Sequence, residues 1–302
     1  MLSSLYDAIR VPLINLAEAG TLPGFFRYGF VINALLCALV AGPLLGAVGT
    51  MVVSKRLAFF SQAVGQAALT GVALGVLLGE PVTQPYVSLF GFCILFALAM
   101  NYTRNRTRMQ QDTVIGVFLS ISLAVGACVL LYVTARVNVH VLDSILFGSI
   151  LTVNDTDMNV LLAIAGLCAA VGVPAYNRML LASLEPSLAR TRGINPIFLD
   201  YVFVLMVTAI TVACLKIVGA VLVEALLVIP AAAARNVSRS IRGFFGLSVL
   251  IATASCVVGV VVPMQYEIPA PSGGAIILVA SGFFVLSAGV RAFSGSFREG
   301  SA

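Results

Sequence analysis

Long apolar runs separated by short polar stretches set the pattern of this chain. A helix needs about 20 apolar residues to cross the hydrocarbon core of a bilayer. Runs of that kind occupy residues 28–53, 57–79, 86–101, 113–135, 158–176, 199–217, 218–235, 243–263 and 272–290. The pattern predicts an all-α polytopic membrane protein of about nine transmembrane helices, with eight as the alternative count. The sixth and seventh runs are divided only by Val218-Gly219, which predicts a tight hairpin. The apolar stretch 141–153 is too short to span and reads as a re-entrant or interfacial helix. Ahead of the first run, Leu5, Ile9, Leu13 and Leu16 recur at helical spacing, so residues 1–26 read as an amphipathic segment on the membrane surface. It lacks the continuous apolar stretch of a cleaved signal peptide, and we expect it to be retained. A transmembrane domain over 27–292 and a short cytoplasmic tail over 293–302 complete the expected organisation.

The polar positions between the runs orient them. Lys55 and Arg56 follow the first run, and Arg104, Arg106 and Arg108 the third. Arg178, Arg190 and Arg192 follow the fifth, Arg235, Arg239 and Arg242 the seventh, and Arg291 and Arg298 the ninth. These thirteen of the seventeen Lys and Arg residues fall on alternate loops, and cytoplasmic loops carry the excess of Lys and Arg. The opposite loops hold Glu80, Asp155, Asp157 and Glu267, with Arg136 and Lys216 as their basic residues. Nine spans then put the C-terminus in the cytoplasm and the N-terminus outside. Arg10 and Arg27 are the exceptions to that rule.

Composition names the solvent. Of 302 residues, 60% are hydrophobic and 10% charged, with a mean hydropathy of +1.08, whereas soluble domains average about 25% charged residues. The lipid bilayer is the main surroundings. The net charge of +5 belongs to the loops just described, and no nucleic-acid partner is expected. Cys37, Cys93, Cys128, Cys168, Cys214 and Cys256 lie singly in apolar runs and read as small packing residues. Gly42-Pro43-Leu44-Leu45-Gly46 and the series Gly65, Gly71, Gly75 bring to the spans the small residues that close helix packing in lipid uses.

Polar groups inside hydrocarbon are costly, which makes them the first functional candidates. Of twelve acidic residues only Glu224 sits mid-span, in AVLVEALLVIPAAAAR. Pro230, six residues on, frees backbone carbonyls in the same helix. Either Glu224 faces a water-filled path and binds a cation or proton, or it is an interhelical hydrogen-bonding group. Gln62 and Gln66 lie four apart and therefore on one helix face, with Ser61 and Thr70 nearby; such a pair glues helices or lines a pore. His140 is the single histidine. It reads as a solvated loop residue or, with Asp143, Asp155 and Asp157 nearby, as a metal ligand.

The longest basic loop is 177–196, NRMLLASLEPSLARTRGINP, in which Leu180, Leu181, Leu184 and Leu188 recur near helical spacing. A short helix there docks on a cytoplasmic partner or lies on the headgroups. No Gly-x-x-x-x-Gly-Lys-Ser/Thr loop is present, so any ATP must bind another chain. We expect no enzyme site and no cofactor on this one.

Five segments carry a family resemblance: SKRLAFFSQAVGQAALTGVALGVLLG (54–79), QDTVIGV (111–117), VLDSILFGSILTVNDTDM (141–158), KIVGAVLVEALLVIPAAAARNVSRS (216–240) and PAPSGGAIIL (269–278). In this order they resemble the ABC-3 family, the permeases of bacterial zinc, manganese and iron ATP-binding cassette importers. The resemblance implies a type II importer permease fold in the bacterial inner membrane. It also implies a homodimer of permeases, two cytoplasmic ATPase subunits that hold the ATP, and an extracytoplasmic metal-binding protein. Glu185, Arg190, Arg192 and Gly193 fall in the segment that couples to the ATPase, and Ser61, Gln62, Gln66 and Glu224 become the candidate translocation path. The family usually has Gly-Asp-x-x-x-His where this chain has Ser61, Gln62 and Gln66, and the zinc permeases carry a small or hydroxyl residue where it has Glu224. The resemblance thus carries fold and transport class and leaves the metal open. Glu224, and more remotely His140, are the metal-ligand candidates, and oxygen ligands suit manganese or iron(II) better than zinc. The alternative function is a secondary transporter or ion-conducting protein coupled through Glu224.

Overall fold

A computed structural model describes residues 28–80, 85–107, 109–134, 153, 155–266 and 271–299, with single positions between Tyr6 and Phe26. Among the described residues these helices follow one another: α1 (Gly29–Ser54), α2 (Phe60–Leu77), α3 (Tyr86–Thr107), α4 (Gln111–Thr134), α5 (Asp155–Leu184), α6 (Pro186–Thr191), α7 (Pro196–Val218), α8 (Ala220–Val237), α9 (Ile241–Gln265) and α10 (Ser272–Glu299). Among the described residues, all but the six-residue α6 are long and apolar enough to cross a membrane, which makes nine spans. The chain is an all-α polytopic membrane protein.

Local chemistry explains where the helices start and stop. Asn195 caps α7, its Oδ1 accepting from the N–H groups of Ile197 and Phe198, and Pro196 takes the first helical position, where a missing N–H costs nothing. Ser240 caps α9 by accepting from Gly243 N–H. Gly219, with φ 92°, is the single residue between α7 and α8, a backbone setting that favours glycine.

Two helices outrun their apolar stretches. Helix α5 continues through the Asn177–Leu184 half of the expected loop, and the leucines we assigned to one short helix are divided between α5 and α6. The break falls at Glu185 (φ −135°, ψ 76°), because the residue before a proline is pushed out of the helical region. Helix α10 likewise carries the expected tail to Glu299.

The chain divides into two compact units. The first comprises residues 1–50, 149–163 and 225–302. In it α1 lies against α9 so closely that a Cβ on Gly46 would sit 2.8 Å from the Ala252 Cβ and 2.9 Å from the Ser248 carbonyl oxygen. The Ser248 hydroxyl donates to the Gly46 carbonyl at 2.7 Å. At the arginine-rich end, Asn236 donates to Ser287 and accepts from Arg291. At the other end Arg10 pairs with Asp155 and donates to Asn33, and Tyr6 donates to Asn159. Arg10, an exception to the charge rule in sequence, is there as the partner of an acid. Leu5, Ile9, Leu13, Leu16 and Arg27 lie outside the described residues.

The second unit comprises residues 51–148 and 164–224. Helix α2 packs on α3, α4 and α7, and α3 also packs on α7 and α4. Thr70 of α2 donates to the Ser122 carbonyl of α4 at 3.2 Å. At one end the last residues of α1 and α3 meet the first turn of α7, where Lys55 and Arg104 both pair with Asp200. At the opposite end Lys216 donates to the Tyr86 hydroxyl at 2.8 Å, and Glu80 accepts from the Ser88 N–H as α3 begins. Antiparallel neighbours joined by short loops produce this segregation of ends.

Candidate translocation site and coupling turn

Glu224 lies in the second turn of α8 rather than at its middle. The less buried positions of α8 recur at Val221, Glu224, Ala225 and Val228, which is one helical face. The carboxylate is set against α2 at Gly65: a Cβ there would be 3.4 Å from Glu224 Oε1 and 3.6 Å from the Ala220 Cβ. Glycine leaves the carboxylate its space.

Gln62 and Gln66 are half-buried and flank Gly65 along α2. Ser61 is fully buried and turns its hydroxyl to the Ala58 carbonyl of its own chain, at 3.3 Å. The structure thus brings Glu224 to the Gln62–Gln66 stretch of α2 and leaves the Ser61 hydroxyl occupied locally. Among the described residues no group of three or more His, Cys, Asp and Glu side chains could hold a metal. All six cysteines are free thiols. His140 and Asp143 lie outside the described residues. The chemistry available at Glu224 is that of one carboxylate with neutral amides on the neighbouring helix, a set of hard oxygen donors suited to a brief stop rather than a closed cage.

The coupling candidates form a compact turn. Glu185 precedes α6, Arg190 lies in its last turn, Arg192 ends it, and Gly193 (φ 74°) reverses the chain. Ile194 N–H returns to the Ala189 carbonyl at 3.0 Å, and Ala189 is the buried anchor of α6. Glu185, Arg190, Arg192 and Gly193 are all exposed. Beside them Leu188, Ile197 and Phe198 expose 44%, 50% and 64% of their surface, an apolar and basic patch at one end of the second unit.

A family model described as the ABC 3 transport family matches residues 27–291. The chain belongs to that family. It is similar to the manganese transport system membrane protein MntC of Listeria innocua, 29% identical over 88% of this chain and 92% of that one. The high-affinity zinc uptake system membrane protein ZnuB of Haemophilus influenzae is 28% identical over 86% of this chain and 97% of that one. Among solved structures, PsaBC from Streptococcus pneumoniae in complex with Fab superposes with a TM-score of 0.74 at 27% identity, covering 92% of this chain and 94% of that chain. Fold and transport class therefore agree with the resemblance read from the five segments.

The sequence reading missed Asp200. Lys55 and Arg104 entered it only as orientation signals, and their shared acid was not singled out. The signal was present: Asp200 is an isolated carboxylate four residues after Pro196, at the end where the arginines gather.

Proposed function

We propose that this ABC 3 family member is the membrane permease of an importer for divalent metal ions. It forms the path of the ion across the bacterial inner membrane while a separate ATPase supplies the energy. Full-length similarity to permeases named for manganese and for zinc, on a bundle of nine spans, is the observation that carries this reading. The exposed α6 turn fits a cytoplasmic ATPase. The arginine-rich loops put that turn and the C-terminus in the cytoplasm, and the chain has no phosphate-cradling loop of its own. A second permease copy and an extracytoplasmic metal-binding protein complete the assembly.

Within that assembly Glu224 lines the path. A carboxylate inside a membrane span is costly and is a functional candidate by default. Glutamine would supply a hydrogen bond at similar volume without the charge. An acid here, on a half-buried face and against a glycine, favours use of its negative charge on a passing dication. With Gln62 and Gln66 as amide donors, the oxygen set suits manganese or iron(II) better than zinc.

The test is Glu224→Gln in the assembled importer, with uptake of Mn2+, Fe2+ and Zn2+ measured separately. We expect uptake to be abolished while complex assembly and basal ATP hydrolysis persist. Normal uptake would make Glu224 a packing group. Uptake that continued without the ATPase would point instead to a secondary transporter.

A further inference from the structure

Asp200 holds two basic side chains from separate parts of the chain. Lys55, just past α1, pairs with its Oδ1, and Arg104, near the end of α3, donates from Nη2 to its Oδ2 at 3.2 Å. The Lys55 and Arg104 side chains are only 8% and 13% exposed, against 27% for Asp200. Lys55 also sits 5.0 Å above the ring of Phe203, one turn further along α7. Two largely desolvated cations thus depend on a single carboxylate, a geometry in which charge pairs are strong and position-sensitive.

The place of Asp200 in the chain gives this hub its meaning. From α6 to Asp200 there is little slack. Ile194 N–H returns to Ala189, Asn195 caps α7, and Asp200 follows within the next helical turn. From Lys55 to α2 there is equally little: Arg56, with φ 56°, turns the chain, and Leu57 N–H donates to the Val52 carbonyl at 2.9 Å before α2 begins at Phe60. Helix α2 then carries Gln62, Gly65 and Gln66 to the Glu224 carboxylate. All these residues belong to the second unit.

A further observation points to an arrangement not satisfied in this state. Asn101, Arg104 and Asn105 share a face of α3 by their spacing. Asn101 is 2% exposed, and neither its Nδ2 nor its Oδ1 has a hydrogen-bond partner among the described residues; the Asn105 Nδ2 lacks one as well. Buried amides normally find partners. The unpaired amides next to Arg104 on this face have no hydrogen bonds to lose if the hub shifts.

We propose that Asp200 is a positioning residue that couples the ATPase-facing turn to the translocation path. A displacement of α6 moves the first turn of α7, Asp200 drags Lys55 and Arg104 with it, and α2 shifts beside Glu224. The proposal rests on the permease reading and on α6 facing the ATPase.

The experiment uses the chain assembled with its ATPase in proteoliposomes, and reads Mn2+ uptake, ATP hydrolysis and the amount of complex for each variant. Asp200→Asn should assemble and hydrolyse ATP while uptake per ATP falls about tenfold, the scale of a typical coupling free energy. Asp200→Glu should restore the ratio. Because Asp200→Asn leaves two cations facing each other, the paired variant Lys55→Met with Asp200→Asn removes one of them and keeps the test decisive if the single variant does not fold. It too should be uncoupled. Uptake and hydrolysis falling in proportion, or an unchanged ratio in the paired variant, would overturn the proposal and leave Asp200 a structural tie. Failure of the unaltered chain to capture the ATPase would instead remove the reading on which the proposal rests.

Discussion

The two units of this chain are held by different chemistry. The first closes on small residues and hydrogen bonds, with the Arg10–Asp155 pair at one end: Gly46 against Ala252, Ser248 on the Gly46 carbonyl, Asn236 between Ser287 and Arg291. The second concentrates its charge, with two cations on Asp200 at one end, Lys216 over the Tyr86 ring at the other, and Glu224 against Gly65. Van der Waals contact between backbones depends on distance and is lost wholesale when a methyl group intrudes. Ion pairs are longer-ranged and are remade in more than one geometry. Close glycine contacts therefore suit a part that keeps its shape, and shared carboxylates suit a part that moves.

The same substitution in each unit is the most direct way to break this comparison. Gly46→Ala places a methyl group where backbone and Cβ already stand, and overpacking of that kind costs about 1–3 kcal/mol. We expect a lower melting temperature for the detergent-solubilised protein and poor recovery of the complex. Gly65→Ala puts its Cβ at 3.4 Å from the nearest atom, an ordinary contact, so the complex should be recovered normally and the loss should appear in uptake. If Gly65→Ala melted as low as Gly46→Ala, the contrast between the units would be gone.

Asn101→Leu sharpens the comparison from the other side. Replacing an unpaired buried amide by an apolar group of similar size should stabilise the protein by about 1 kcal/mol, seen as a higher melting temperature. If the amide serves a second arrangement of the hub, uptake turnover should fall at the same time. Faster or unchanged turnover in a stabilised variant would confine Asn101 to packing.

Asn236→Ala gives the smallest effect. It removes the link between Ser287 and Arg291 in the first unit, at a cost of about 1 kcal/mol, and uptake per assembled complex should stay as it was. A selective loss of uptake would show that the neutral network also takes part in transport.

Much of the architecture was legible because a bilayer judges residues one at a time. Each span needs its own apolar run, and each basic loop carries its own orientation signal, so nine spans could be read without knowing a single contact. Glu224 was legible for the same reason, since a carboxylate inside an apolar run stands out against its immediate neighbours. The break before Pro186 and the caps at Asn195 and Ser240, seen in the structure, follow local rules that need no distant contact.

What only the tertiary structure decided is who meets whom. Asp200 finds partners 96 and 145 residues away, and its place near a helix start names neither of them. Glu224 acquires its neighbour Gly65 in the same way, and Arg10 its Asp155. The ends of α5 and α10 also escaped the apolar pattern, because a helix beyond the hydrocarbon core is sustained by backbone hydrogen bonds and packing rather than by partition into lipid. The sequence by itself determined which segments are apolar and long enough to enter the membrane, since transfer energies are properties of single residues. The pairing of charges between segments is a property of the folded arrangement, and only there does Asp200 meet Lys55 and Arg104.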